Sequence, residues 1–306
     1  MKNIVVVGSL NLDVVSEIEK LPHQGATISV KHQSQNLGGK GANQAVAAAR
    51  QGGQVSFVGA VGADEAGERF KKVLREEGID VSGIVTKKVP TGSASILLED
   101  DGHNTIMVYG GANAELTADD IVKSENIIAN ADVVIAQFEV PQEAVAKAFY
   151  FAKKYGALTI LNPAPIIEQE AILPEVLSST DIIVPNETEA AALVGMEPST
   201  DKAKLAAVRE AMAQLTIQKT VITLGEDGVF YHLADEDQVA PIFKVKPVDT
   251  TAAGDTFIGS LTVELNKDLT NAAEAIKYSS KASSIAIQHF GALQSIPTRR
   301  EVLKDL

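Results

Sequence analysis

Short apolar runs alternate with longer amphipathic segments along most of the chain. Most of the short runs are continuously apolar, which is typical of strands in a parallel sheet that has helices on both faces. Strands of this kind are predicted at Asn3–Gly8, Gln54–Gly59, Ala131–Gln137, Ala157–Leu161, Asp181–Val184 and Thr220–Leu224.

The longer segments between these strands have helical spacing, and two more helical patterns follow the last strand. The alternation of strands and helices predicts a layered α/β fold. The predicted helices are Lys40–Gly52, Glu65–Gly78, Pro141–Tyr155, Glu187–Val194, Asp201–Leu215, Gly254–Asn266 and Asn271–His289.

Two regions depart from this alternation. Residues 13–37 are extended and punctuated by proline and glycine, and residues 91–109 have the pattern of a hairpin. The hairpin strands are Ala94–Leu98 and Thr105–Tyr109, which flank an acidic turn ending in Gly102. We interpret these segments as a small sheet projecting from the main domain; ordinary surface excursions are the alternative.

The composition is that of an acidic protein without cysteine or tryptophan. Among 306 residues, 27 are Lys or Arg and 40 are Asp or Glu, giving a formal net charge of −13. This charge repels phosphate backbones and anionic lipid, so we expect no nucleic acid and no membrane as partners. The lack of cysteine excludes disulfides and thiolate chemistry. The apolar N-terminus is interpreted as a buried strand and not an export signal, which favours a cytoplasmic location.

Several common enzyme motifs are missing. Gly38-Gly39-Lys40 lacks the first glycine of a Walker-type loop, and the segment 39–44 fails the dinucleotide-binding pattern at its last position. Neither G-x-S-x-G nor H-E-x-x-H occurs. Walker-type ATPases, dinucleotide dehydrogenases, α/β-hydrolases and zincins are therefore disfavoured.

The glycine-rich segment 38–47 is the first candidate binding site. Three of its first four residues are glycine, and an alanine-rich helix begins at once. Small residues let a ligand approach the backbone, and amides at a helix N-terminus suit polar or anionic oxygens. Lys40 and Asn43 add donors in the same turn. A tight turn with close helix packing would account for the glycines but not for these two polar side chains.

The segment 248–257 is the second candidate. Ala252, Ala253 and Gly254 are small and open a helix, so their N–H groups would converge on an anion such as a transferring phosphoryl group. Asp255 lies in the first turn of that helix. A helix-capping aspartate is the alternative, but a cap needs no Ala-Ala-Gly before it.

Two shorter segments each follow a predicted strand. In residues 185–189, the acidic side chains either complement the helix dipole or, through Asn186 and Glu189, organise a hydrated Mg²⁺ and phosphate oxygens. Residues 223–228 form either a plain hairpin or a nucleotide shelf at the carboxyl end of a strand.

Together these segments resemble the ribokinase family of carbohydrate kinases, also called the PfkB family, over essentially the whole chain. The order and spacing of the motifs also fit. The matching segments are Gly38–Ala47 for the N-terminal signature, Asp249–Phe257 for the C-terminal signature, Asn186–Glu189 for the N-x-x-E motif and Gly8–Asp13 for the sugar-binding start.

The resemblance implies a fold, a reaction and a set of substrates. The fold would be one three-layer α/β/α domain over residues 1–306, with a β-sheet lid formed by about 13–37 and 91–109. The reaction would be transfer of the γ-phosphoryl group of ATP to the 5-hydroxyl of D-ribose, with Mg²⁺ as cofactor. The lid sheet would also mediate a homodimer through its exposed edges.

The resemblance also assigns residues to roles. Asp255 would be the base, beside an anion hole of Ala252, Ala253 and Gly254. The sugar would be held by Asn11, Asp13, Gly39, Lys40, Gly41, Ala42, Asn43, Glu139 and Asp255. The nucleotide would contact Asn186, Glu189, Thr223, Leu224, Gly225, Glu226, Asp227, Gly228, Gly254 and Ser280. A monovalent cation, K⁺, would be bound by Asp249, Thr251, Ala286, His289, Gly291 and Ser295.

Two other functions stay open. Another sugar or nucleoside kinase of the same family, such as a fructokinase or adenosine kinase, would share the motifs, because the sequence does not show the volume of the sugar pocket. A non-catalytic regulator that binds sugar or nucleotide is disfavoured by Asp255 after Ala-Ala-Gly, since a binding module needs no base.

Overall fold

A computed structural model of the protein describes residues 1–166, 171–304 and 306. Its main sheet has nine strands in the order β13-β12-β11-β10-β9-β8-β1-β4-β5. Strands from β11 to β5 in that order are parallel, whereas β12 and β13 are antiparallel additions at one edge. The strands are β1 (Asn3–Val7), β4 (Gln54–Gly62), β5 (Asp80–Lys87), β8 (Val133–Gln137), β9 (Leu158–Asn162), β10 (Ile182–Ile183), β11 (Lys219–Thr223), β12 (Val229–His232) and β13 (Gln238–Ala240).

Eleven α-helices are assigned within the described residues, and they cover both faces of the main sheet. They are α1 (Lys40–Arg50), α2 (Glu65–Glu76), α3 (Ala118–Lys123), α4 (Glu125–Ile128), α5 (Gln142–Tyr155), α6 (Pro174–Ser178), α7 (Glu187–Val194), α8 (Lys202–Gln214), α9 (Ala253–Glu264), α10 (Ala272–Ala286) and α11 (Arg299–Lys304).

Strand β1 shows why the fold has three layers. Its side chains alternate between faces. Ile4 and Val6 pack in an apolar cluster with α1, α2, α9 and α10, while Val5 and Val7 pack in a second cluster with α5, α7 and α8. Because both faces are covered, the strand is apolar at every one of these positions. The three-layer α/β/α fold predicted from the sequence is confirmed.

A second sheet of four strands, in the order β3-β2-β6-β7, stands apart from the main sheet. Its strands are β2 (Asn11–Ile18), β3 (His32–Gly38), β6 (Gly92–Glu99) and β7 (Asn104–Tyr109). They come from the two regions that broke the βα alternation, and β6 and β7 form the predicted hairpin. The small sheet is therefore present, and its action as a lid stays a prediction.

Each of the six predicted strands and seven predicted helices corresponds to an observed element, with ends shifted by a few residues. Strands β5, β12 and β13 and helices α3, α4, α6 and α11 were not predicted. Strand β5 lies at the edge of the sheet and alternates buried with exposed residues at its start, so it lacks a continuous apolar run. Within the described ranges, we find no helix with the length and apolarity needed to span a membrane.

The topology fixes where a ligand can bind. From β1 the chain continues on one side of the sheet through β4 and β5, and from β8 it continues on the other side through β9 and β10. The loops after β1 and β8 therefore diverge and leave a crevice at the carboxyl ends of the strands, where open α/β sheets bind ligands. The N-termini of α1 and α9 both come to this crevice, since Asn43 and Asp255 are hydrogen bonded there.

Candidate active site

The start of α1 packs directly on the loop after β1. A side-chain carbon at Gly41 would lie 2.4 Å from the backbone nitrogen of Ser9, so only glycine fits this position. Gly39 has φ of 92°, a left-handed conformation that also favours glycine. The N–H of Gly41 donates to the Ser9 hydroxyl at 3.3 Å and that of Ala42 donates to the Ser9 carbonyl at 3.0 Å. Both N–H groups are thus hydrogen bonded within the protein, and the predicted contacts of Gly41 and Ala42 with a sugar stay predictions.

Glu139, just beyond β8, is hydrogen bonded to two of the other predicted sugar-binding residues and to Ser9. Its Oε2 accepts from the Lys40 N–H at 3.0 Å and from Asn11 Nδ2 at 3.3 Å, and it also accepts from the Ser9 hydroxyl. Gly39 precedes Lys40 directly, so its left-handed turn aims the helix N-terminus at this carboxylate. The structure thus brings Asn11, Gly39, Lys40 and Glu139 together from three parts of the chain.

Asn113 was not predicted, although it fixes the orientation of Asn11. It is buried, with its Oδ1 accepting from the Leu10 N–H at 3.0 Å and its Nδ2 donating to Asn11 Oδ1 at 2.8 Å. The amide nitrogen of Asn11 must then face Glu139. An isolated asparagine after the hairpin carries no motif, so the sequence held no signal for this role.

Asp13 lies on β2, where it is paired with Asn36 of β3 and Ala94 of β6. A side-chain carbon at Gly38 would lie 2.3 Å from Asp13 Oδ2, so this glycine makes room for the carboxylate. Burial, with the nearby charge of Glu139 adding to it, raises the pKa of Asp13 to about 7. Asp13 is therefore poised between its neutral and charged forms near neutral pH.

Asp255 lies in the first turn of α9, and its side chain is buried. Asn43 Nδ2 donates to its Oδ2 at 2.9 Å, and Gln44 Nε2 donates to its Oδ1 at 2.9 Å. The helix begins after Ala252, which has φ of 59°. This left-handed residue turns the chain so that the backbone of Ala253 and Gly254 lies beside the carboxylate at the entrance of the helix.

Two cavities meet at this turn. A cavity of about 230 Å³ contains Asp255, Lys40, Asn186 and Glu189, and a cavity of about 690 Å³ extends away from the first. Ala253 and Gly254 line both of them. The larger cavity has the size of a small-molecule site. An elongated ligand could therefore occupy the larger cavity and present one end to Asp255.

Lys40 lines the smaller cavity together with the carboxylates of Asp255 and Glu189. Burial alone would lower the pKa of its ammonium group, but the negative charges of Asp255 and Glu139, with a smaller contribution from Glu189, raise that pKa overall. Burial raises the pKa of Glu189, against the opposing effects of the Asn186 N–H and the charge of Lys40. The smaller cavity therefore holds a charged lysine that can face an anion.

Asn186 and Glu189 form the capping box of α7. Asn186 Oδ1 accepts from the Glu189 N–H at 2.7 Å, and Glu189 Oε2 accepts from the Asn186 N–H at 2.9 Å. Both side chains still line the smaller cavity. Asn186 also forms a parallel bridge to Thr223 at the end of β11, which brings two of the predicted nucleotide segments together. The capping and ligand-binding interpretations are thus compatible.

Most of the predicted nucleotide-binding residues line the larger cavity, but Leu224 does not. Thr223, Gly225, Glu226, Asp227 and Gly228 line the larger cavity together with Gly254 and Ser280. Leu224 is buried and does not line it, because its side chain packs in the core with α5 and α8. The Ser280 hydroxyl is buried without a hydrogen-bond partner among the described residues.

Several of the six predicted cation ligands take part in hydrogen bonds in this region, and their joint binding of an ion stays a prediction. Asp249 Oδ1 accepts from the Thr251 N–H at 2.9 Å, and its Oδ2 accepts from the Gly291 N–H at 3.0 Å. The Ala286 carbonyl accepts from the His289 N–H at 3.0 Å. The Ser295 hydroxyl instead donates to the carbonyl of Ala292, three residues before it in the chain, at 2.9 Å. Asp249 therefore links two distant segments directly.

Comparisons with known proteins agree with this geometry. The model of the pfkB family of carbohydrate kinases matches residues 1–299. The chain is 40% identical to a ribokinase of Staphylococcus aureus over 98% of each chain. It is 45% identical, over 99% of its length, to a bifunctional ribokinase/ribose-5-phosphate isomerase A of Fructilactobacillus sanfranciscensis, of which it spans 56%.

A solved structure of similar shape is that of Arabidopsis thaliana ribokinase complexed with ribose and ATP. It superposes with a TM-score of 0.90 at 33% identity, over 99% of this chain and 98% of the other. The match of the family model and these identities cover nearly every residue that builds the crevice. The chain belongs to the pfkB family of carbohydrate kinases.

Proposed function

We propose that this chain transfers the γ-phosphoryl group of ATP to the 5-hydroxyl of D-ribose, giving D-ribose 5-phosphate and ADP. The observation that carries the proposal is the position of Asp255, a buried carboxylate at a helix N-terminus that lines the smaller cavity directly after Ala253 and Gly254, which line both cavities. Ribokinases among the relatives and a similar structure with ribose and ATP support this choice over other kinases of the family.

Asp255 acts as the base in this proposal. The ribose 5-oxygen attacks the γ-phosphorus, the bond to the β,γ-bridging oxygen breaks, and the hydroxyl proton passes to the Asp255 carboxylate. Charge develops on the transferring oxygens. The turn Ala252–Gly254 lines the cavity here and would form the anion hole through the N–H groups of Ala252 and Gly254, because the Ala253 N–H donates to the Thr250 carbonyl at 3.2 Å. Lys40 in the same cavity adds a positive charge.

The sugar is held by side chains from three elements. Asn43 supports this assignment, because its Oδ1 is buried and lacks a hydrogen-bond partner within the described part of the chain. A sugar hydroxyl would satisfy this acceptor. Asp13, Asn11, Lys40 and Glu139 supply the remaining polar groups, while Gly39 lets the sugar approach the backbone. A lid movement of the four-stranded sheet would exclude water, which would otherwise hydrolyse ATP.

The nucleotide occupies the larger cavity. Its base and ribose lie against residues 225–228 and Ser280, and its phosphates pass Gly254 toward Asp255. Mg²⁺ would accompany the phosphates near Asn186 and Glu189. The donor set fits a hydrated ion, because Mg²⁺ keeps several waters and needs few protein ligands. When bound, the ion neutralises phosphate charge; Lys40 supplies the protein's own positive charge there.

A monovalent cation, K⁺, would be held next to the anion hole by Asp249, Thr251, Ala286, His289, Gly291 and Ser295. The chemistry of the donors fits such an ion, since carboxylate and carbonyl oxygens are its usual ligands. Asp249 already accepts two N–H groups, and an ionised carboxylate retains further acceptor capacity. Its position just before Ala252 would stiffen the anion hole.

We further propose a homodimer through the lid sheet and a cytoplasmic location. Strand β7 is one of the two edge strands of that sheet, and Ile106, Met107, Val108 and Tyr109 are all at least half exposed. An edge strand with exposed apolar side chains on both faces is a template for pairing. The location follows from the sequence expectation alone.

A coupled assay that follows ADP release tests the reaction directly. Ribose, 2-deoxyribose, fructose and adenosine are compared at equal concentration, with ATP and Mg²⁺ held constant. We expect the highest kcat/KM with ribose. A preference for fructose or adenosine would favour another kinase of the family, and ligand binding without ADP release would favour the non-catalytic regulator.

A further inference from the structure

Gln44 is a second amide that holds the Asp255 carboxylate, from the residue next to Asn43. Its side chain is fully buried, and it lines neither of the two cavities in the described structure. Its Nε2 donates to Asp255 Oδ1, whereas Asn43 donates to Oδ2. Each carboxylate oxygen is therefore held by one neutral amide from the N-terminal part of α1.

A backbone carbonyl fixes which end of Gln44 faces the carboxylate. The Val184 carbonyl can only accept, so the amide nitrogen of Asn162 must face it, and this bond is 2.9 Å long. Asn162 Oδ1 then faces Gln44 and accepts from its Nε2 at 3.2 Å. The same nitrogen must therefore point toward Asp255, and the oxygen of Gln44 must point away.

Gln137 completes this arrangement from the other side. Its Nε2 donates to Gln44 Oε1 at 2.6 Å, which satisfies the oxygen that faces away from Asp255. Gln137 and Asn162 end strands β8 and β9 and are register partners in the parallel sheet. The edge of the sheet thus presents two amides at a fixed separation, and Gln44 lies between them.

We propose that Gln44 is a positioning residue for the phosphoryl transfer, holding the Asp255 carboxylate in the orientation in which it receives the hydroxyl proton. This inference rests on the proposed function, in which Asp255 is the base. Gln44 lines neither cavity itself, but it donates to Asp255 and to Asn162, which both line the smaller cavity. A cycle with Asp255→Asn isolates the part of its effect that passes through Asp255. A neutral donor suits this task, because it restricts rotation of the carboxylate without placing a full positive charge against it.

The first test is a double-mutant cycle of Gln44→Met with Asp255→Asn. Methionine has a similar length but donates no hydrogen bond. We expect Gln44→Met to lower kcat by about 10- to 100-fold, since small misplacements of reacting groups have effects of this order. The KM values for ribose and ATP should stay within about twofold. In the Asp255→Asn background, the same substitution should change the residual kcat by less than about twofold, because the group it positions is gone.

Gln51→Met is the matched control for loss of buried hydrogen bonds. Gln51 is also fully buried, at the other end of α1, where it donates to the Pro297 carbonyl and accepts from the Tyr278 hydroxyl, both at 2.7 Å. Thermal unfolding of both variants measures the structural effect. Any change in kcat from Gln51→Met should be the same with and without Asp255→Asn, because this glutamine does not touch Asp255.

Gln44→Glu keeps the shape of the side chain and tests the donor separately. The introduced carboxyl group donates a hydrogen bond only while it is protonated. The kcat of this variant should therefore fall as the pH rises, whereas Gln44→Met should follow the wild-type profile at a lower level. A pH dependence equal to that of the wild type would contradict a donor role.

The outcomes separate the inference from the function on which it rests. Wild-type kcat in Gln44→Met, or a loss that persists unchanged in the Asp255→Asn background, would overturn the positioning role and leave Asp255 as the base. Near-normal kcat in Asp255→Asn alone would remove the base itself, and the positioning role with it. A loss in Gln44→Met that disappears in the double variant supports both.

Discussion

Asn43 Nδ2 donates to Asp255 Oδ2 at 2.9 Å, across a sequence separation of 212 residues. This single bond joins the glycine-rich start of α1 to the Ala-Ala-Gly start of α9. Each motif alone could be explained by a purely structural role, as a tight turn or as a helix cap. Their contact in a buried crevice places a carboxylate, an amide and two helix N-termini around one point, which is an arrangement suited to handling an anion next to a polar ligand.

The first prediction concerns Asp255→Asn. The substitution keeps the size of the side chain but removes the proton acceptor, and a general base contributes about 10²–10⁴-fold to rate. We expect a loss of kcat in that range, measured as ADP release with saturating ribose. The dissociation constant for ATP should be largely unchanged when it is titrated without sugar. A variant with near-normal turnover would show that the proton leaves by another route.

The motifs could be recognised from the sequence, whereas their partners could not. Gly38–Ala47 and Asp249–Phe257 are runs of unusual residues, so each is visible in the chain itself. Ser9, Gln137 and Asn162 are single polar residues at the ends of apolar strands. Only the parallel register of β8 with β9 and the close approach of α1 bring them to the site. The sequence pattern alone does not show which of these residues meet in the folded chain.

The ligands of the predicted cation site were also difficult to identify from the sequence. Its predicted ligands include backbone carbonyls, and any residue type supplies a carbonyl. The structure supports a link between Asp249, Thr251 and Gly291, whereas the Ser295 hydroxyl bonds to the nearby carbonyl of Ala292. The four-stranded sheet was easier to anticipate, because its strands broke the βα alternation and carried turn residues.

The second prediction concerns the pH dependence that Asp13 confers. Its pKa is raised from an ordinary value of 3.8 to about 7, so the folded state binds this proton more tightly than the unfolded state does. The associated stability is present below about pH 4 and is lost as the pH rises to about 7. Asp13→Asn removes this dependence. We therefore expect the Tm of Asp13→Asn minus the Tm of the wild type to be larger at pH 8 than at pH 5.

Thermal unfolding at both pH values, without sugar, measures this difference. Asp235→Asn, a change at an exposed loop residue, is the control and should show the same Tm difference from wild type at both pH values. If Asp13→Asn also gave a constant difference, the carboxylate would not be held in its neutral form by burial. In assays, Asp13→Asn should raise the KM for ribose and leave that for ATP nearly unchanged, because Asp13 lies on the small sheet and does not line the larger cavity, in which we place the nucleotide.

The third prediction concerns the edge strand β7. Val108 is 61% exposed, so Val108→Lys places a charge on the surface without disturbing the core. If two copies pair through this edge, the two introduced lysines face and repel each other. The variant dimer should then dissociate at a protein concentration at least tenfold higher than the wild-type dimer does. Sedimentation velocity over a concentration series measures the shift. Val122→Lys, at another exposed apolar residue on α3, is the control and should sediment as the wild type does.

The last prediction concerns the cation, for which Asp249 gives a sharp test. This carboxylate holds the N–H groups of Thr251 and Gly291 at 2.9 and 3.0 Å, so it links the turn before α9 to the loop after α10 even without an ion. A bound K⁺ would tighten the same link and fix the anion hole at Ala252–Gly254. We expect K⁺ to raise kcat well above its value in tetramethylammonium at equal ionic strength. The matched ionic strength is needed because a protein with a net charge of −13 also responds to salt through screening.

Asp249→Ala separates the two contributions to this link. The variant should lose activity even in tetramethylammonium, because it lacks the hydrogen bonds that the Asp249 carboxylate accepts from Thr251 and Gly291. Its ratio of kcat in K⁺ to kcat in tetramethylammonium should fall toward one, and K⁺ should no longer raise its Tm, whereas in the wild type binding to the folded state alone raises Tm. Equal rates and equal Tm in the two salts for the wild type would mean that the Asp249 hydrogen bonds alone organise the turn, and that no K⁺ binds there.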